Sequence, residues 1–568
     1  MKKKPFKSIL ALLLAIIALG ACSNGSGESP AAASSASQSP ASGSQAPASN
    51  ENPSSAPDRV TLEFLAPSPV SQVNDWDVML EELYRRTDDI LNIRINYVFT
   101  TFDDIGQKIS LKMSAGEQLD GAFVAQWTTP SMQQMISQGL LTNLDGYFNN
   151  DAYPGLKQYF SKEYVETNSF TDANNESHLY AIPFTNNYFD PWTIYYRKDL
   201  ASKYGLGEIG SYDSLIEYMD AVKLNEPGMV PMSYLGSTDL ASMQLLEVYR
   251  DIPKTSGHNE QVITGTGGVS IAIRDDGTAY ASRHFVPGLD PEFYKLLKPP
   301  YNNEDPLLGF KLAREWYEKG YFEKDILSQK DHEGQFVAGK AAAYFRGVST
   351  YTDTETRLTS SVPGAEMGVF ILSGPIRFNT PKTQGVDFQA WNFLAIPTTS
   401  KYVDRVMAFM NWMYEDRSNH DLIEYGVEGK HWIKVGDDKY DIPEGVDPSA
   451  NYNFYGYVLS WNPQLMRYSV NTPDFILDAL KKMGDPEELY RNPASGFSFV
   501  SDSLLTEMAK INDLAAYNRA LSNGVVADIE AEVERVQALY EEAGFLNVAE
   551  EVERQFNEYL KDHPYNGQ

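Results

Sequence analysis

Val60-Thr-Leu-Glu-Phe-Leu65, Asn92-Ile-Arg-Ile-Asn-Tyr-Val-Phe99 and Gly121-Ala-Phe-Val-Ala125 are three strand-like runs separated by two stretches of helical periodicity. The first alternates as a half-buried strand does, and the third is an apolar strand bounded by polar residues. Pro67 and Pro69 break the chain after the first run. Trp76, Met79, Leu80, Leu83 and Ile90 then fall at helical spacing across residues 74–91, with Asn74 or Asp75 placed to cap the start. A second helix over residues 103–114 leads into the third strand. This strand–helix–strand–helix–strand order predicts a parallel, doubly wound α/β sheet, since parallel neighbours need a crossover and a helix supplies it.

The pattern recurs downstream. Residues 179–184 and 192–197 read as strands, and 211–224 as a capped helix. Residues 339–345 form a small-residue strand and 393–396 another. Val403, Val406, Phe409, Met410 and Met413 mark one face of an amphipathic helix. Near the end, Ile529, Val533, Val536 and Tyr540 share a stripe that Gly544 ends, and Val548, Val552, Phe556 and Tyr559 form the next.

The N-terminus has a different composition. Lys2, Lys3, Lys4 and Lys7 precede the unbroken Leu/Ile/Ala run of residues 9–19, which is the length of a signal-peptide core and too short to span a bilayer. It ends in Leu19-Gly20-Ala21-Cys22, which resembles the bacterial lipobox, in which the cysteine is acylated and the chain cut before it. Cys22 is the only cysteine, so no internal disulfide is open to it. Residues 23–57 are nearly all Ser, Ala, Pro, Gly, Asn and Gln. They lack side chains large enough to offset the entropy of ordering, and predict a flexible tether. About 510 residues follow, more than one simple domain holds. Losing residues 1–21 removes four lysines and no acid, so the formal charge of −30 becomes still more negative. Such a surface argues against nucleic acid and against adhesion to anionic lipid through basic residues, and solubility alone accounts for it.

Four segments carry a family likeness: Met113-Ser-Ala-Gly-Glu-Gln-Leu-Asp120 with Gly139-Leu-Leu-Thr-Asn-Leu-Asp145; His178-Leu-Tyr-Ala-Ile-Pro183 with Tyr195-Tyr-Arg-Lys-Asp-Leu200; Phe336-Val-Ala-Gly-Lys-Ala-Ala-Ala343; and Trp391-Asn-Phe-Leu-Ala-Ile-Pro397. In this order, behind a lipobox, they resemble the extracellular solute-binding proteins of the maltose-binding type (family 1), receptor components of carbohydrate ABC importers. Tyr425-Gly-Val-Glu-Gly-Lys-His431 and the helical C-terminus are similar to the LipO-type lipoprotein subgroup. The resemblance implies a periplasmic-binding-protein-like fold with two doubly wound α/β lobes and a ligand cleft between them. Residues 58–181 plus 392–448 would form the first lobe, and 182–391 plus 449–568 the second. It implies no cofactor, no catalysis, a monomer, a permease as partner, and a lipid-anchored place outside the membrane of a Gram-positive-like envelope.

Sugars present hydroxyl edges and apolar C–H faces, so their sites combine fork-like polar groups with flat aromatic platforms. Gln126 and Trp127 follow one strand end; Asn186, Asn187 and Tyr188 follow another. Tyr234 comes after Pro231-Met-Ser, Arg346 follows the strand that ends at Phe345, and Trp391 with Asn392 stands at the second crossing. Trp461 lies in an aromatic-rich stretch. Each has a second reading: a tryptophan or Tyr234 as core, Asn186 and Asn187 as turn formers, Arg346 as partner of a structural carboxylate.

A surface glycoside hydrolase would need two carboxylates across a cleft, which 77 acids do not exclude by number. No Gly-x-Ser-x-Gly elbow or His-Glu-x-x-His occurs, and the seven histidines show no metal-ligand spacing. A ligand sensor reporting to a kinase would share the fold with a transport receptor.

Overall fold

The computed structural model describes residues 57–565, apart from positions 69, 71, 103, 126, 127, 129, 173, 175, 185–189, 237–240, 251–260, 264–268, 300, 373, 382, 383, 387, 388, 484, 486 and 498. Cys22 and the segments around it lie outside the described residues.

Strands Val60–Pro67, Ile93–Thr100 and Gly121–Ala125 form where the pattern predicts, and they pair in parallel. Asn392–Ala395 joins them from far along the chain. It runs antiparallel to both Gly121–Ala125 and Ala181–Pro183 and completes a five-stranded sheet. The helix Trp76–Thr87 covers this sheet with Met79, Leu80 and Leu83. Its start departs from expectation. Asp75 sits at φ 51° and its side chain caps nothing, because its carboxylate pairs with Lys430 at 2.7 Å and His431 at 3.1 Å. The Asn74 side-chain amide donates to the Asn451 carbonyl instead.

In the middle of the chain, Trp192–Arg197 lies between Ala343–Gly347 and Met367–Ile371 in an antiparallel sheet. The strand expected over residues 339–345 begins only at Ala343. Gly339, at φ 70°, follows the short helix His332–Val337, so residues ahead of Ala343 serve the turn. The helix Tyr212–Asn225 is capped as expected, with Ser211 and Ser214 satisfying each other's backbone amides, and it buries Leu215, Tyr218, Met219 and Val222.

Among the described residues, once the chain has entered the first core it crosses that core's boundary three times: between Phe184 and Ile194, between Leu372 and Ala390, and between Leu465 and Ile476. Phe454, Val458, Leu459 and Leu465 therefore pack with the first sheet. Toward the C-terminus, helices Ile529–Ala543 and Phe545–Asp562 meet at Gly544 (φ 95°) and cover a small antiparallel sheet that includes Ser270–Ile273 and Ala279–Ala281. Glu553 and Asn557 accept from the amides of Ala281 and Ala279 at 3.0 and 2.8 Å, tying helix to strand. Among the described residues, no helix is long and apolar enough to cross a membrane.

Candidate ligand-binding site

Residues 454–458 alternate on the surface of the first core. Phe454, Gly456 and Val458 are buried, while Tyr455 and Tyr457 stay half-buried. Gly456 anchors the turn that follows. Its carbonyl accepts from the amides of Leu459, Ser460 and Trp461 at 2.8 to 3.0 Å, and a Cβ on it would stand 1.8 Å from Glu424 Oε2. Glu424 accepts from Ser460 Oγ at 2.5 Å, and the Ser460 carbonyl lies 2.8 Å from His420 Nε2. Arg467 fastens the end of the segment: its Nε donates to Asp421 Oδ2 at 2.8 Å and its Nη2 lies at the same distance, in a pair whose side chains are 5% and 2% exposed.

A run of rings results. Centroids lie 6.2 Å apart for Phe102 and Tyr455, 5.5 Å for Tyr455 and Tyr457, and 5.4 Å for Tyr457 and Trp461. Asn392 lies near enough to the Tyr457 hydroxyl to favour its ionised form, but burial outweighs it and pushes that phenol up to about 12.

Within electrostatic reach of these rings is a charged group carried by the second core. Arg346 projects from the strand Ala343–Gly347 with 35% of its side chain open, and its Nε is 3.7 Å from Glu333 Oε2. Burial works against the Arg346 charge, but Glu333, Tyr455, Tyr344 and Asp190 more than offset it, so its pKa stands above the ordinary value. Glu333 also pairs with Arg357, which reaches Asp353 at 3.3 Å. Asp190 accepts from Ser349 through its amide (3.1 Å) and its hydroxyl (2.5 Å). Gly347 leaves room for it, since a Cβ there would lie 2.0 Å from Asp190 Oδ2. Burial pushes the Asp190 carboxyl up to about 6, against the Ser349 bonds and the Arg346 charge. His332, packed edge-on to Tyr344, is pushed down to about 4 by burial and by Arg346. It is neutral at neutral pH.

Three residues singled out from the sequence thus converge: Arg346, Asn392 and Trp461. Trp391, beside Asn392, is 47% exposed. Tyr234 is placed otherwise. It is 2% exposed in the second core, its hydroxyl bonds Gln244, and its ring backs the Arg346 strand 5.2 Å from Phe345. Gln126, Trp127, Asn186, Asn187 and Tyr188 lie outside the described residues. The described chain next to them ends at one rim: Ala125 pairs with Asn392, and the Phe184 amide donates to the Asn392 carbonyl at 3.1 Å. Tyr455, Tyr457, Asp190 and Glu333 were not singled out. The in–out alternation of residues 454–458 was the signal for the two tyrosines.

Spacing also failed to show that Asp172, Glu176 and His178 bring ligand atoms within 4.8 Å of one another. These donors are already engaged. Asp172 Oδ1 accepts from the amides of Asn174 and Glu176, and His178 Nδ1 lies 2.7 Å from Asp145 Oδ2. The Asp145 bond holds the His178 pKa above its ordinary value. Side chains here could hold a divalent cation, but their visible work is to close the hairpin Phe170–His178.

Flat aromatic faces beside a charged fork and two carboxylates are suited to a polyhydroxylated molecule, and among the described residues of the group none pairs a nucleophile with a base. The comparisons agree with a binding role. Residues 85–427 match the model of the bacterial extracellular solute-binding protein family, and residues 493–561 match a domain of unknown function. A carbohydrate ABC transporter substrate-binding protein of Streptococcus pneumoniae serotype 4 is 22% identical over 501 residues, 86% of this chain and 90% of that one. The fold is shared with the N-glycan transport solute binding protein of Streptococcus pneumoniae in complex with Man5GlcNAc (TM-score 0.60, 18% identity, 89% of this chain and 100% of that one). It is also shared with an HMO binding ABC-transporter associated solute binding protein from Bifidobacterium longum infantis (TM-score 0.55, 14% identity, 88% and 99%). With more than half of its length matched by the family model, the chain belongs to the bacterial extracellular solute-binding proteins, which act outside the cytoplasm and bind their solutes rather than transform them.

Proposed function

We propose that this protein is a lipid-anchored receptor that captures an oligosaccharide between its two cores and delivers it to an ABC importer. The observation that carries the reading is the convergence of Tyr455, Tyr457 and Trp461 with Asn392, Arg346 and Asp190 from three distant parts of the chain. Stacking rings take the apolar faces of pyranoses, and the polar groups take hydroxyl edges. The names of the relatives, which refer to carbohydrate transport and glycan binding, support the same substrate class. In this reading the first lobe comprises residues up to Phe184 together with those from Ala390 to Arg467, and the second lobe is the remainder. Trp391 stands at the cleft rim, and Gln126, Trp127, Asn186, Asn187 and Tyr188 are ligand contacts in the same reading. Ligand that touches both walls favours the closed arrangement by its differential affinity, and closure follows.

Acylated Cys22 holds the protein at the outer face of the membrane, where two or more acyl chains give stable attachment. The tether over residues 23–57 then gives a reach of about 30 to 35 Å. Two measurements test the proposal. Cys22→Ala should release the protein into the medium with its ligand affinity intact. A thermal-shift and calorimetry screen against plant and microbial oligosaccharides should yield a binder whose affinity falls in Trp391→Ala. Binding of a peptide or amino acid and of no sugar would refute the substrate class.

A further inference from the structure

The residues around Arg346 point to a preference within that class. We infer that the cleft selects neutral oligosaccharides and rejects their uronate counterparts, with Glu333 as the residue that sets the preference. The inference rests on the reading that the cleft takes a carbohydrate.

A lone arginine in a cleft wall invites a carboxylate, since its fork matches one in a bidentate grip. Arg346 is not alone. Glu333 Oε2 stands 3.7 Å from its Nε, and Asp190 lies close enough to act on the same charge. The second cation, Arg357, is already shared between Glu333 and Asp353. Tyr455, which an incoming sugar would stack on, feels Arg346, Glu333 and Asp353 together. Among the described residues, two cations therefore face three carboxylates.

Donor and acceptor side by side suit a vicinal diol, because each hydroxyl both donates and accepts. One hydroxyl accepts from the Arg346 fork while its neighbour donates to Glu333 or Asp190. A uronate carboxylate only accepts. It would gain the fork and lie against two like charges in a partly desolvated wall, where repulsion is felt far more than in water. Arg346 thus serves as a hydroxyl donor whose appetite for anions is cancelled by its neighbours.

The test compares matched pairs by calorimetry at low salt: maltotetraose, cellotetraose, mannotetraose and galactotetraose, each with its C6-oxidised form. The wild-type protein should bind at least one neutral member, with the oxidised partner at least tenfold weaker. Glu333→Gln should narrow that gap at least threefold, the oxidised form gaining affinity relative to its neutral partner. An oxidised sugar bound as tightly as its neutral partner by the wild-type protein would overturn the inference and leave the carbohydrate reading standing. An unchanged gap in a folded Glu333→Gln protein would remove Glu333 from the role. Binding of no sugar in either form would count against the carbohydrate reading itself and take this inference with it.

Discussion

The two walls of the proposed cleft differ in how they are held and in what they offer. The aromatic wall at residues 455–461 is fixed from behind by buried groups: Gly456 against Glu424, Ser460 against Glu424 and His420, and Arg467 against Asp421. The charged wall draws Arg346 from a strand, Glu333 from a short helix and Asp190 from the chain ahead of Trp192, with Glu333 paired to Arg346 and Asp190 held by Ser349. A surface anchored from behind, facing a mutually balanced charge group, fits a division of labour under the proposed function: the aromatic wall would supply affinity for pyranose faces in general, and the charged wall would decide which substituents are admitted.

The largest effect expected is at the aromatic wall's foundation. Arg467→Met leaves Asp421 buried without its cation, a change that costs about 3 to 5 kcal/mol. Chemical denaturation should show that loss, and the folded fraction should bind ligand poorly because residues 455–461 lose their anchor. A stability loss with normal affinity would separate the anchor from the wall. Next in size, Gly456→Ala forces the Glu424 carboxylate out of its bond with Ser460 and should destabilise by about 1 to 3 kcal/mol, as overpacking does.

Tyr457→Ala should weaken every bound oligosaccharide by about ten- to a hundredfold, which is about 1.4 to 2.8 kcal/mol. Tyr457→Phe removes only the contact with Asn392 and should cost much less. The smallest effect is a pH signature on the charged wall. Burial raises the Asp190 carboxyl to about 6 from 3.8, so the folded state holds the proton more tightly than the unfolded one. This group therefore stabilises the fold below about pH 4, and the contribution is lost as pH rises through 6. The groups facing it are Ser349, the Val348 amide, Arg346 and Tyr457. Asp190→Asn should gain stability relative to wild type between pH 4 and 6 and keep a constant difference above; a flat difference across that range would show that Asp190 is not held this way.

The same contrast explains what was legible in the sequence. The parallel strands of the first sheet were readable because each is long and its crossover helix carries a clear apolar stripe, as Met79, Leu80 and Leu83 do. The reversed direction of Asn392–Ala395 was not, because it depends on the chain returning from the second core. The cap at Ser211 and the stop at Gly544 were local and came through; the cap at Asp75 did not, since Lys430 and His431, distant in sequence, claim its carboxylate. In the site, Arg346, Asn392 and Trp461 stood out by position beside strand ends and in an aromatic stretch. Tyr234 looked the same on paper, and only the packing of Phe322 and Phe345 around it shows a core residue. Tyr455 and Tyr457 escaped because their outward aspect depends on Gly456 meeting a glutamate 32 positions earlier, Glu424.

The central claim is that the 455–461 wall grips a sugar. Its most direct test is an isothermal titration of the wild-type protein and Tyr457→Ala with the best-binding neutral oligosaccharide. The account predicts at least a tenfold loss of affinity with an unchanged melting temperature. Equal affinity in the two proteins would place the sugar elsewhere and contradict it.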